Sequence, residues 1–176
     1  MHESIYEPAE DSFLLRDHIK DYSFKSALDV GTGSGIIVQE LLKHCDTVVG
    51  VDLNTKAIEF CQENIEGCKF IVSDLFDKVE WKFDLITFNA PYLPKDEGIE
   101  DIALYGGKEG YEVIEKFLLN ANNYLNDKGK ILIIFTSHSK PDKIKEIMDR
   151  EGYKYKLVDK VHVFFEDIFL YELRLK

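Results

Sequence analysis

The chain has 176 residues and a net charge of -11, from 22 basic and 33 acidic side chains. That length suits one domain with a real core. The acidity argues against duplex nucleic acid as a direct partner, because phosphate contacts need clustered Lys and Arg. No apolar run approaches a membrane span. The start, MHESIYEPAEDSF, has no apolar region following a basic one. Cys45, Cys61 and Cys68 form no C-x-x-C pair. These features predict a cytoplasmic chain with no membrane association, no disulfide framework and no metal site.

Short apolar strands alternate with amphipathic helices, which predicts a mostly parallel sheet covered on both faces. Residues 12–19 read as an opening helix and 26–30 as a first strand. Residues 36–43 read as a helix, 47–52 as a strand, 55–65 as a helix, and 68–72 and 83–88 as strands. A polar stretch, 95–110, carries Gly98, Gly106, Gly107 and Gly110; its length and position suit a lid or binding loop. Residues 112–124 read as a helix, 130–135 as a fifth strand and 141–150 as a helix with Pro141 in its first turn. Two final strands are expected at 153–160 and 164–175. Nothing marks a linker or a repeat.

Two stretches carry chemistry. ALDVGTGSGI places Gly31, Gly33 and Gly35 between a strand and a helix, where backbone can pass close to a ligand. Asp52 ends the second strand, and its carboxylate can accept both hydroxyls of a ribose. The dinucleotide pattern G-x-G-x-x-G fails from Gly31 and from Gly33, which argues against a hydride-transferring dehydrogenase. The second stretch is FNAPYLP, residues 88–94. Asn89 offers a side-chain carbonyl, Ala90 a backbone carbonyl, Pro91 a rigid turn and Tyr92 a ring for a planar group to pack on. Together they read as a clamp for a planar NH2 group. Holding both N–H bonds with acceptors aims the nitrogen lone pair, which is catalysis by positioning and fixed dipoles.

The pattern D-x-G-x-G-x-G resembles motif I of the class I S-adenosylmethionine methyltransferases. This resemblance implies a Rossmann-like α/β fold, a seven-stranded sheet with the last strand antiparallel, and S-adenosyl-L-methionine as cofactor. It also implies that Asp29 lies near the methionine end, that Asp74 meets the adenine amino group, and that the Leu75 N–H meets the ring. Leu53, beside Asp52, joins the implied cofactor set, as does Asn89. Asn-Ala-Pro-Tyr resembles the Asn-Pro-Pro-Tyr of enzymes that methylate planar nitrogen, with Ala90 in the place of the first proline; Ala90→Pro is expected to be tolerated. IYEPAEDSFLLRDHI and LYGGKEGYEVI (104–114) resemble segments of the short archaeal and eukaryotic branch of HemK/PrmC-type release-factor glutamine methyltransferases. The implied acceptor is a glutamine in a Gly-Gly-Gln-type loop of a class I release factor. Residues 1–25 are then expected over the cofactor site, with the Ser12 hydroxyl a contact. That branch also implies a small zinc-binding activator subunit on the third-strand edge. An adenine-N6 nucleic-acid methyltransferase, a methyltransferase of another side chain such as lysine, and an inactive cofactor-binding module remain alternatives. His2, His18, His44, His138 and His162 are scattered, and none is assigned to catalysis. Tyr6 and Tyr105 are candidates to line the pocket mouth.

Overall fold

A computed structural model of the chain describes residues 7–94 and 105–175. Seven strands form one sheet in the order β3-β2-β1-β4-β7-β9-β8. These are β1 (Phe24–Val30), β2 (Cys45–Asp52), β3 (Lys69–Val72), β4 (Phe83–Asn89), β7 (Leu125–Thr136), β8 (Tyr153–Val163) and β9 (Glu166–Leu175). Pairings from β3 through β7 are parallel. β9 is antiparallel to both its neighbours. β5 (Leu93–Pro94) and β6 (Tyr105–Gly107) make a separate two-stranded ladder.

Alternation along the strands sends successive side chains to opposite faces. Leu28, Val30, Ile86, Phe88, Ile131, Ile133 and Phe135 pack in one core with α4 (Glu112–Ala121) and α5 (Pro141–Arg150). Ala27, Leu85, Leu132 and Ile134 pack in the other with α1 (Glu10–Ile19), α2 (Ile36–Leu41) and α3 (Thr55–Asn64). The chain leaves β1 in one direction for β2 and β3, then crosses to β4 on its other side. Open α/β sheets bind ligands at such a reversal, beyond the carboxyl ends of the strands.

Several elements differ from the sequence expectation. The helix expected at 112–124 stays α-helical to Ala121 and tightens into a 3-10 turn over Asn122–Tyr124. β7 begins at Leu125, five residues before the expected start. Its N-D-K-G sequence reads as a turn, but the ladder absorbs it as an irregularity facing Phe83 and Leu85, with Lys128 at φ +66°. β8 runs on to Val163, so Phe164 and Phe165 form the hairpin tip and not the start of β9. β5 and β6 were not expected; β6 takes up part of the anticipated lid, while 95–104 lie outside the described residues.

Candidate functional site

Three buried polar atoms without hydrogen-bond partners among the described residues lie at the carboxyl ends of β1 and β4: Asp29 Oδ2, Thr32 Oγ1 and Asn89 Oδ1. Strand parity puts Asp29, Thr87 and Asn89 on the α1 side, in step with Ala27 and Leu85. Thr87 Oγ1 donates to Asp29 Oδ1 at 2.7 Å. Burial pushes the Asp29 carboxyl up to about 7, opposed by the Thr87 hydroxyl and then by that of Thr32, which faces it without an aligned hydrogen bond. Asn89 Nδ2 donates to Ser12 Oγ at 3.3 Å, and the Ser12 hydroxyl donates to Asp11. Ser12 therefore fixes the Asn89 amide with its nitrogen tied and its oxygen open. Sequence reading cast Ser12 as a cofactor contact; the structure gives its hydroxyl this tethering role.

The glycine loop follows β1. Gly35 holds φ +79°, and a Cβ there would run into Cys61 on α3 and Ile65 just past its end. Asp52 braces the loop: its Oδ2 accepts from Gly33 N–H at 2.8 Å and its Oδ1 from Asn54 N–H at 2.8 Å. Burial raises its pKa, opposed by the backbone N–H bonds of Asn54, Gly33 and Leu53. Leu53 next to it is exposed. Asp74 opens the turn after β3, and its Oδ2 accepts from Lys116 Nζ at 2.6 Å, an ion pair reaching from α4. Leu75 sits at φ +49°, a conformation uncommon for a non-glycine residue and typical of functional turns.

After Asn89 the chain bends. Ala90 is buried, and its N–H donates to the Ile134 carbonyl at 3.3 Å. Proline cannot make that bond, so the expected tolerance of Ala90→Pro comes with the loss of one backbone hydrogen bond. Tyr92 is half-buried, and its phenol is pushed up by burial first, then by Asp11, Glu166 and Glu10. The Gly-Gly of LYGGKEGYEVI explains itself here. A Cβ on Gly106 would lie 2.6 Å from the Pro91 carbonyl oxygen and 2.5 Å from that of Gly110. Only glycine lets this segment close on the Asn-Ala-Pro-Tyr turn. Tyr105 lies on that segment; Tyr6 lies outside the described residues. Sequence reasoning missed Thr87, Thr32, Lys116 and Glu166. Thr87 alone left a signal, a hydroxyl in the otherwise apolar LITF run.

The family model described as Methyltransferase small domain matches residues 8–164. A Methanocaldococcus jannaschii protein, provisionally named protein N5-glutamine methyltransferase, is 35% identical across 96% of this chain and 90% of its own length. The Lactococcus lactis release factor glutamine methyltransferase is 31% identical across 89% of this chain and 61% of its own length. The solved E. cuniculi Mtq2-Trm112 complex is described as responsible for methylation of the eRF1 translation termination factor. It matches with a TM-score of 0.81 at 26% identity, over 97% of this chain and 98% of that one. The chain therefore belongs to the methyltransferase small domain family, in the company of the protein N5-glutamine methyltransferases.

Proposed function

We propose that this protein transfers a methyl group from S-adenosyl-L-methionine to the side-chain nitrogen of a glutamine. The acceptor we infer is the glutamine of a Gly-Gly-Gln-type loop in a class I peptide release factor. The observation that carries this is the Asn89 amide: nitrogen tied to Ser12, oxygen buried and unpartnered. A buried acceptor left open costs about 1–3 kcal/mol, a cost that an incoming N–H removes. A carboxamide is neutral and brings two N–H groups. Asn89 Oδ1 takes one and the Ala90 carbonyl the other, while Tyr92 supplies a flat wall. With both N–H bonds held, the nitrogen lone pair is aimed without a strong base. The names of the relatives support the same acceptor.

The residues present fit the cofactor. Asp29 Oδ2 is a buried, open acceptor suited to an ammonium group. Asp52 keeps a second lone pair on each oxygen for ribose hydroxyls. Gly31, Gly33 and Gly35 let the backbone come close, Asp74 and the Leu75 N–H present an acceptor and a donor to adenine, and exposed Leu53 offers an apolar face beside them. When bound, S-adenosylmethionine supplies a methyl group activated on a sulfonium. The N-terminal segment, here from residue 7 through α1, then lies over the cofactor site, with Asn89 and Ser12 at the junction. No helix among the described residues is long and apolar enough to cross a membrane. The proposed acceptor, a translation factor, makes the cytoplasm the place of action in this reading.

This reading includes a partner. Among the described residues β3 pairs only with β2 and forms a sheet edge. Beside it the Lys69 ammonium sits 4.2 Å over the ring of Trp81, which is 42% exposed. An open strand next to an exposed aromatic suits strand addition by a small zinc-binding activator subunit, and the Mtq2-Trm112 complex supports a two-chain assembly. One observation favours a second acceptor: the carboxylates around Tyr92 suit a lysine side chain. A lysine must first lose a proton, which a glutamine need not.

Asn89→Ala tests the clamp. Transfer should fall by about 100- to 1,000-fold, the usual loss for one aimed dipole, while S-adenosylhomocysteine affinity by calorimetry stays within a few-fold of wild type. Normal turnover in this variant would remove Asn89 from the mechanism.

A further inference from the structure

The β8–β9 hairpin ends in two phenylalanines. Val163 pairs with Glu166, so Phe164 and Phe165 are the whole connection. Two-residue hairpin loops favour Asn, Asp and Gly, because their backbone needs left-handed angles. Here Phe164 holds φ +47°, a genuine outlier for so bulky a residue. The two rings are 86% and 95% exposed, the most exposed large apolar side chains among the described residues. Neither ring helps the fold, and the turn would form more readily without them. Strained, exposed side chains of this kind mark function.

The tip is rigidly held and stands beside the site. Asp167 binds Lys160 at 2.8 Å and His162 at 2.9 Å, and its N–H donates to Ser137 Oγ at 3.1 Å. Thr136 pairs with Ile168, so the tip rises from the carboxyl end of β7, the same end as Asn89. β5, which continues directly from the Asn-Ala-Pro-Tyr turn, packs on the Ser137–Ser139 turn, and that turn packs on β9. Glu166, at the foot of the tip, lies near Tyr92. Its Oε2 is buried without a hydrogen bond, and the His138 ring is 4.0 Å away. With the exposed Glu10, which also lies near Tyr92, it puts negative charge on this rim, while Asp11 beside them is buried.

We propose that the Phe164–Phe165 tip docks the methyl-acceptor protein, the two rings covering an apolar patch of that protein while Glu166 receives a cationic group beside it. The contact lies outside the glutamine loop itself, and it rests on the glutamine-transfer reading. Exposed aromatic pairs bounded by charge are typical anchors of such interfaces. The acidic rim selects a basic neighbourhood on the acceptor and rejects an acidic one.

The test compares wild type with the double variant Phe164→Gly, Phe165→Asn, which removes both rings and puts glycine at the left-handed first position of the turn. Each is assayed, with the small zinc-binding activator subunit present and absent, on an intact class I release factor and on a short peptide carrying only its Gly-Gly-Gln loop. The docking role predicts that kcat/KM for the intact protein falls about tenfold or more, mostly through KM. Turnover of the peptide and affinity for S-adenosylhomocysteine should stay at wild-type values. Glu166→Gln should give a smaller loss on the intact protein alone. Equal activity of wild type and double variant on the intact protein overturns the docking role and leaves the glutamine reading standing, as does an equal loss on both acceptors. No transfer by wild type to either acceptor overturns both. A wild-type dimer in sedimentation that the double variant dissolves overturns the docking role in favour of self-association.

Discussion

Asp29 carries a carboxyl that burial holds near pH 7, and two consequences follow with opposite signs. The folded, cofactor-free protein binds this proton more tightly than the unfolded chain does. The stability it contributes is complete below about pH 4, the unfolded carboxyl range, and is lost as pH rises through about 7. An ammonium ligand needs the ionised form. Affinity for S-adenosylhomocysteine should therefore weaken about tenfold for each pH unit below about 7 and level off above it. Calorimetry across that range, with Asp29→Asn as the comparison, checks this: the variant should bind weakly with a flat profile. Ala90 offers a second residue-level prediction. Ala90→Pro removes the N–H that reaches the Ile134 carbonyl, so it should cost about 1 kcal/mol in denaturant unfolding while the fold survives.

Among the elements, α4 is the one that shapes the site from behind. Phe117 stacks on Phe88 with ring centroids 4.5 Å apart, and Phe88 precedes Asn89 in β4. Phe117→Ala should destabilise by about 3–5 kcal/mol. Leu119→Ala, on the exposed side of the same helix, should change stability by about 0.5 kcal/mol or less. Unfolding curves of the two variants separate the faces. The strand ends that position Asp29, Asp52, Asp74 and Asn89 were legible in the sequence, because each apolar run stops at a glycine, acid or amide that the sheet cannot absorb. Residues whose roles arise across the chain were not. Lys116 reaches Asp74 from forty-two residues away, and nothing local to either marks the pair. The start of β7 was hidden because N-D-K-G carries turn chemistry that a ladder irregularity also uses. The hairpin tip was misread because Phe-Phe has strand propensity, and tertiary pairing put the turn there regardless.

At the scale of the whole molecule, the sheet reversal between β1 and β4 brings the glycine loop and the Asn89 turn to one end of the sheet. In the proposed reading three surfaces surround one reaction: α1 above it, the β3 edge to one side and the β8–β9 tip to the other. The net charge of -11 suits a basic protein acceptor and disfavours a nucleic-acid duplex. Association with such an acceptor should slow as salt rises, which stopped-flow binding at two ionic strengths can read.

The most direct test of the central claim is transfer of a labelled methyl from S-adenosylmethionine to a class I release factor, with its Gly-Gly-Gln glutamine intact or replaced. It should be run with and without a small zinc-binding activator subunit. The account predicts label on the intact glutamine and none on the replaced one. Label that persists after replacement, or cofactor binding with no transfer under either condition, would contradict it.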